Sequence, residues 1–178
     1  MKKIVLSLLI YILTSLTIGC TSQQTLTNQN STETNSTTQE IGSEESKRID
    51  LYVSAMKAAF KEENGGNGFI AVKLDTLEGL SDEAKNKVLK NLSALSSNLY
   101  DFEEVKNDNV KFKYDDKGNL QRTIDGTLLS IRLQEYSDNE AIIEITSWFG
   151  NLGAVFPKYK ATYKDTTWHL ELLEMAIS

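Results

Sequence analysis

The chain has 178 residues, 40% of them hydrophobic and 25% charged, which is room for one ordinary domain and not for two. Its formal charge of −6 at pH 7 opposes binding to a nucleic-acid backbone, which depends on a basic footprint, so no nucleic-acid partner is expected. A single cysteine, Cys20, excludes a disulfide within the chain, and with a single histidine it leaves no transition-metal ligand set.

Met1-Lys2-Lys3 leads into an uncharged apolar run from Ile4 to Ile18. A basic start and about 15 apolar residues have the layout of a secretory signal, and fall short of the roughly 20 that a helical membrane span needs. The run ends in Leu16-Thr17-Ile18-Gly19-Cys20, which resembles the lipobox of bacterial lipoproteins, with Thr17 where that family usually has Leu. The resemblance covers the first twenty residues. It implies a signal peptide over residues 1–19, a diacylglyceryl group on Cys20, and a place on the extracytoplasmic face of the cell membrane. Two acyl chains, at about 0.8 kcal/mol per buried CH₂, make a lasting anchor where one chain binds only marginally. With Lys2 and Lys3 gone from the 19 basic side chains, 17 face 25 acidic ones, a formal −8.

Thr21 to Gln39 is almost wholly Ser, Thr, Asn and Gln, with Leu26 its one aliphatic side chain. Nothing there can offset the entropy of ordering, so residues 20–43 are expected to be a lipid-bearing, flexible linker with a root-mean-square reach of roughly 25 Å. A single domain is expected over residues 44–178. Ser43 is a candidate N-cap, with Glu44 and Glu45 suited to the positive end of a helix. Ile49, Tyr52, Val53, Met56, Ala59 and Phe60 then form one apolar stripe that predicts a first helix, stopped by a left-handed glycine at Asn64-Gly65-Gly66. Phe69 to Leu74 predicts a short buried strand. A second helix capped by Ser81 is predicted from Ala84, Val88, Leu92, Leu95 and Leu99 on one face, with Lys85, Lys87, Lys90 and Asn91 in solvent.

After Asp101 the apolar period drops to two. Val110–Tyr114 and Leu120–Ile124 flank a turn at Asp115-Asp116-Lys117-Gly118, and further strands are expected around Leu129–Leu133, Ile143–Phe149, Val155–Tyr163 and Trp168–Leu172. Pro157 cannot donate a ladder hydrogen bond, which predicts an edge strand or a bulge there. Helices followed by such a meander give an α+β class, with N-terminal helices packed on a curved antiparallel sheet. The element order, with Tyr163-Lys164-Asp165 and Trp168-His169-Leu170 near the end, resembles the NTF2-like and cystatin-like folds across residues 44–178. Such folds host many unrelated activities.

No catalytic grouping stands out. His169, in an alternating strand with no nucleophile-elbow serine, is expected to be structural. The acids Asp101, Glu103, Glu104, Asp108, Asp115 and Asp116 lack the alternate spacing of a calcium loop, so no metal or cofactor is expected. The unusual stretch is Trp148-Phe149-Gly150-Asn151-Leu152-Gly153-Ala154-Val155-Phe156, apolar around a turn that ought to be polar. Trp148, Phe149, Leu152 and Phe156 are therefore the candidate binding surface for an unknown protein or small molecule, together with the sheet face under the helices. The expectation is a non-enzymatic binding domain on a lipid anchor. Two alternatives stand beside it: an enzyme with an NTF2-like pocket and Asp101 or Glu103 as general base, and a toxin-neutralising lipoprotein.

Overall fold

The structure, a computed structural model, describes residues 41–178. The signal expected over residues 1–19, the lipid-bearing Cys20 and the linker as far as residue 40 lie outside the described residues.

Helix α1 (Ser43–Glu62) buries the expected stripe, widened by Leu51 and Ala55. Its start differs from expectation. Gly42 occupies the cap position without a side-chain hydrogen bond, and Ser43 is already helical. Glu45 reaches out of the first turn to accept a hydrogen bond from Ser81 N at 2.6 Å, which ties the start of α1 to that of the second helix. At the other end Glu63 is extended, and Asn64 Nδ2 donates to the Phe60 carbonyl at 2.9 Å. The helix thus stops on a side-chain amide, not on a left-handed glycine. Gly65 serves close approach instead, since a Cβ there would lie 2.5 Å from the Gly126 carbonyl oxygen.

Helix α2 (Asp82–Asn91) is capped as expected, with Ser81 Oγ accepting from Ala84 N at 3.3 Å. It ends well short of Leu99. Ser96 Oγ accepts from Asn98 N at 3.1 Å, a local bond that competes with helix, and the chain then extends into a strand.

The domain is α+β and mostly sheet, with eight strands among the described residues. Strands β5 (Gly126–Tyr136), β6 (Glu140–Gly150), β7 (Gly153–Lys164) and β8 (Thr167–Ile177) form the antiparallel meander read from the alternation. The sheet is mixed, however, where an antiparallel one is expected. β1 (Phe69–Val72) runs parallel both to β5 and to β2 (Leu99–Asp101), and α2 makes the crossover that a parallel pair requires. β1 is buried at every position, as befits a strand covered on both faces.

β3 (Phe112–Tyr114) and β4 (Leu120–Thr123) make the predicted hairpin. β4 meets β6 at Arg122 opposite Gly150, and β5 meets β6 from Leu128 opposite Trp148. Between them the chain kinks at Asp125, which takes a left-handed φ of 54°, a conformation Asp adopts more readily than most residues. Thr123 Oγ1 donates to the Gly126 carbonyl across the kink.

Two cores result. Between α1, α2 and the sheet lie Tyr52, Met56, Val88, Leu129, Ile143 and Ile145, all fully buried. On the outer face Phe69, Ala71, Phe112 and Leu128 form a second cluster beneath α3 (Phe102–Val105) and the β3–β4 hairpin. Phe112 meets Phe69 and Phe102 edge-on, with ring centroids 5.4 and 5.6 Å away.

Pro157 does not mark an edge, because β7 pairs with β6 on one side and β8 on the other. The ladder to β6 skips from Glu144–Lys158 to Ser147–Val155, and β8 is bulged at Leu173, opposite Lys158 and Tyr159. Proline's missing donor is accommodated by that gap and the neighbouring bulge.

Candidate functional site

The four residues singled out around the β6–β7 turn are not brought to one surface. Trp148 lies on the outer face, half-buried against the Phe69–Phe112 cluster. Phe149 turns the other way and packs against Gly65, where an added Cβ would sit 2.2 Å from its own Cβ. Phe156 is half-buried on β7 across from Ala176. Leu152 alone stands free, 94% exposed at the tip of the two-residue turn. Phe149, Leu152, Lys113 and Arg122 border a shallow depression of about 460 Å³ there.

The sheet face under the helices offers no comparable opening. Tyr52 and Met56 of α1 and Leu129, Ile143 and Ile145 of the sheet fill the space between them at 0% exposure.

What sequence reasoning missed is the second half of β8. Cross-strand partners share a face, so the pairs Tyr159–Leu172, Pro157–Met175 and Val155–Ile177 put Leu172, Met175 and Ile177 on the helix-covered side. Yet α1 covers only the beginning of the strand, where Trp168 Nε1 donates to the Lys47 carbonyl at 2.8 Å. Leu172, expected to be inward, is 45% exposed, and Ile177 is 66% exposed. The double leucine at 172–173 was the signal: a break in alternation inside an apolar run marks the bulge. Beyond it, Ser178 N donates to the Ala154 carbonyl at 3.0 Å, which holds this half of β8 beside the Leu152 turn.

No family model, curated protein or solved structure matches this chain.

The acids proposed for general-base work do converge. Asp101, Glu103 and Glu104 line an open depression of about 350 Å³ with Asp75, Asp82 and Lys85. Both candidates are already engaged in holding the fold. Asp101 Oδ1 accepts from Glu103 N at 3.1 Å to cap α3, and Glu103 bonds Lys106 at 2.5 Å. Glu103 and Glu104 face water, outside any apolar enclosure. Asp108 and Asp115 organise loops. Hydrogen bonds from Lys111 and the Val110 backbone hold Asp108 below the ordinary carboxylate range, and those from Asn119 do the same for Asp115. Among the described residues, no three His, Cys, Asp or Glu side chains group to hold a metal ion. His169 is exposed, with Nε2 3.3 Å from Thr167 Oγ1.

An aromatic corner closes the opposite end of β8. The Tyr163 and Trp168 rings meet at a tilt with centroids 5.1 Å apart, the Lys47 ammonium lies 4.1 Å from the Tyr163 ring centre, and Arg48 sits 3.8 Å over Tyr136. These cations come from α1, so the corner fastens the helix to the sheet.

Proposed function

We propose that this chain is a lipid-anchored lipoprotein of the extracytoplasmic membrane face whose domain binds a partner without catalysing a reaction. The address rests on the lipobox-like Leu16–Cys20 segment; the role rests on the exposed apolar side chains Leu172, Leu173, Met175 and Ile177 along the second half of β8, with Leu152 exposed at the neighbouring β6–β7 turn. Solvent-facing apolar side chains in that number along one strand suit an interaction surface. The helix-first order and the four-strand meander with α1 against it support an NTF2-like or cystatin-like assignment, in which the usual cavity under the helix is filled and binding has moved to the rim.

The address is tested by mass spectrometry of the mature protein and by labelling cells with a clickable fatty acid. A diacylglyceryl-modified N-terminal Cys20 is expected, with label and membrane association both lost in Cys20→Ser. An unmodified thiol at Cys20 or an intact Met1 overturns the anchor.

A further inference from the structure

We infer that the depression at the β6–β7 turn is a docking site for a protein segment that presents one carboxylate beside an apolar side chain. The inference rests on the binding-module reading and names the chemistry of the partner. Elsewhere in the sheet a cation meets an acid across the ladder: Arg132 stands opposite Glu144, Lys158 opposite Glu174 and Lys160 opposite Glu171. On the β3–β4 hairpin Lys113 stands opposite Arg122 instead, and like charges in that position repel. Both are exposed, and among the described residues neither belongs to an ion pair. An anion held between them removes the repulsion, and the planar fork of Arg122 matches a carboxylate.

The other side of the depression is apolar. Leu152 is 94% exposed and the Phe149 ring borders the space. Two glycines keep it clear: Gly150, across from Arg122, has no side chain, and a Cβ at Gly153 would come within 2.6 Å of the Phe149 ring. Small-molecule pockets enclose most of their ligand, whereas this depression of about 460 Å³ is open to solvent and suits side chains carried in by a protein surface. The formal charge of −6 opposes a run of acids, so the partner's charge here is a single carboxylate. Position selects a protein over the bilayer. Phe149 packs against Gly65, just past the C-terminal end of α1, whereas the tether joins at the N-terminal end, about 30 Å away along a helix of 20 residues. An anchored domain thus carries the depression at the end farther from its attachment.

The test is an amide NMR titration of the full chain carrying Cys20→Ser, with N-acetyl-leucine as the probe because it joins one carboxylate to one apolar side chain. Saturable shifts are expected at Arg122, Gly150, Leu152 and Gly153 at millimolar concentrations. N-acetyl-leucine amide, which lacks the charge, and acetate, which lacks the apolar part, should each bind about tenfold more weakly. Arg122→Gln should weaken N-acetyl-leucine by about the same factor while the rest of the spectrum is unchanged. Lys158→Gln, which removes an equal charge elsewhere on the sheet, should leave the titration as it was. The proposal fails if no saturable shift appears at these residues, if the amide binds as well as the acid, or if Arg122→Gln is without effect. Cosedimentation with phosphatidylglycerol vesicles that is lost in Arg122→Gln assigns the depression to the membrane and overturns it too. Shifts confined to Leu172–Ile177 overturn this site while keeping the binding-domain reading. Because the chain tested carries no lipid, none of these results bears on the modification of native Cys20, and either conclusion can fail alone.

Discussion

β2 closes one edge of the sheet with three residues, Leu99–Asp101, and α3 starts at the very next residue to cover its end; β8 forms another edge with eleven, and among the described residues nothing lies beyond it. Around β2 and β1 both faces are covered, by α2 on one side and by Phe102, Phe112 and the β3–β4 hairpin on the other. Around the end of β8 neither face is fully covered. A sheet can tolerate an apolar edge if the edge is short and roofed, or if something pairs with it. The asymmetry separates the part of the domain that holds it together from the part free to bind.

The largest effect should come from deleting the same kind of side chain on each side of that divide. Phe112→Ala removes a fully buried ring from the β1–β2 side and is expected to lower unfolding stability by about 3–5 kcal/mol. Ile177→Ala, at 66% exposure, should shift the stability of the monomeric chain by no more than about 0.5 kcal/mol. Urea unfolding of both variants checks this. Equal losses would mean that β8 is as integral as β1 and would remove the contrast.

A finer comparison uses two buried tyrosines. Tyr52, fully buried on α1, donates to the Glu78 carbonyl at 2.8 Å, whereas the buried Tyr159 hydroxyl, on the residue paired with Leu172, has no partner among the described residues. Desolvation pushes the Tyr159 phenol up to about 12, so it stays protonated at every pH where the domain would be studied. Tyr52→Phe should cost about 1 kcal/mol, the net value of one hydrogen bond, and Tyr159→Phe should be neutral or stabilising because it removes a buried unpaired group. A destabilising Tyr159→Phe would show that the hydroxyl is bonded after all.

Much of this was legible in the residues, and the failures share a cause. The α1 stripe, the Ser81 cap, the β3–β4 hairpin and the meander follow from local periodicity, and local periodicity survives in the fold. Three features needed knowledge of what lies across space. β1 reads only as an apolar run, and such a run does not say which way its neighbours point; its parallel pairing with β2 comes through the α2 crossover. Leu95 and Leu99 keep helical spacing past Leu92, yet the helix ends at Asn91 and Ser96 Oγ then takes the Asn98 N–H in a local bond. Trp148, Phe149, Leu152 and Phe156 are close in sequence, but pleating sends Trp148 and Phe156 to one face and Phe149 to the other, where it borders the depression beside the exposed Leu152. The exposed half of β8 was hidden for the same reason: Leu172 continues the alternation of Trp168 and Leu170 in a buried strand, and only the path of α1 shows that the cover stops short of it.

The smallest expected effect concerns how α1 is held in the position that leaves β8 bare. Glu45 crosses from the first turn of α1 to the Ser81 backbone N–H, and its hydrogen bonds with Ser81 hold its carboxyl below the ordinary value of 4.5. A carboxyl with a lower pKa in the folded state than in the unfolded one binds fewer protons when folded. Its contribution is therefore present above the ordinary value and is lost as the pH falls through the folded value. Glu45→Gln keeps the shape and an acceptor oxygen but cannot titrate. The native chain should thus be more thermostable than Glu45→Gln near pH 7, with the gap closing as the pH drops below about 4.5. Melting curves taken from pH 7 to pH 3 measure that convergence. A gap constant over this range would assign the loss to packing at the α1–α2 junction, not to the carboxylate, and would leave the placement of α1 to its apolar stripe and the Lys47–Tyr163 corner.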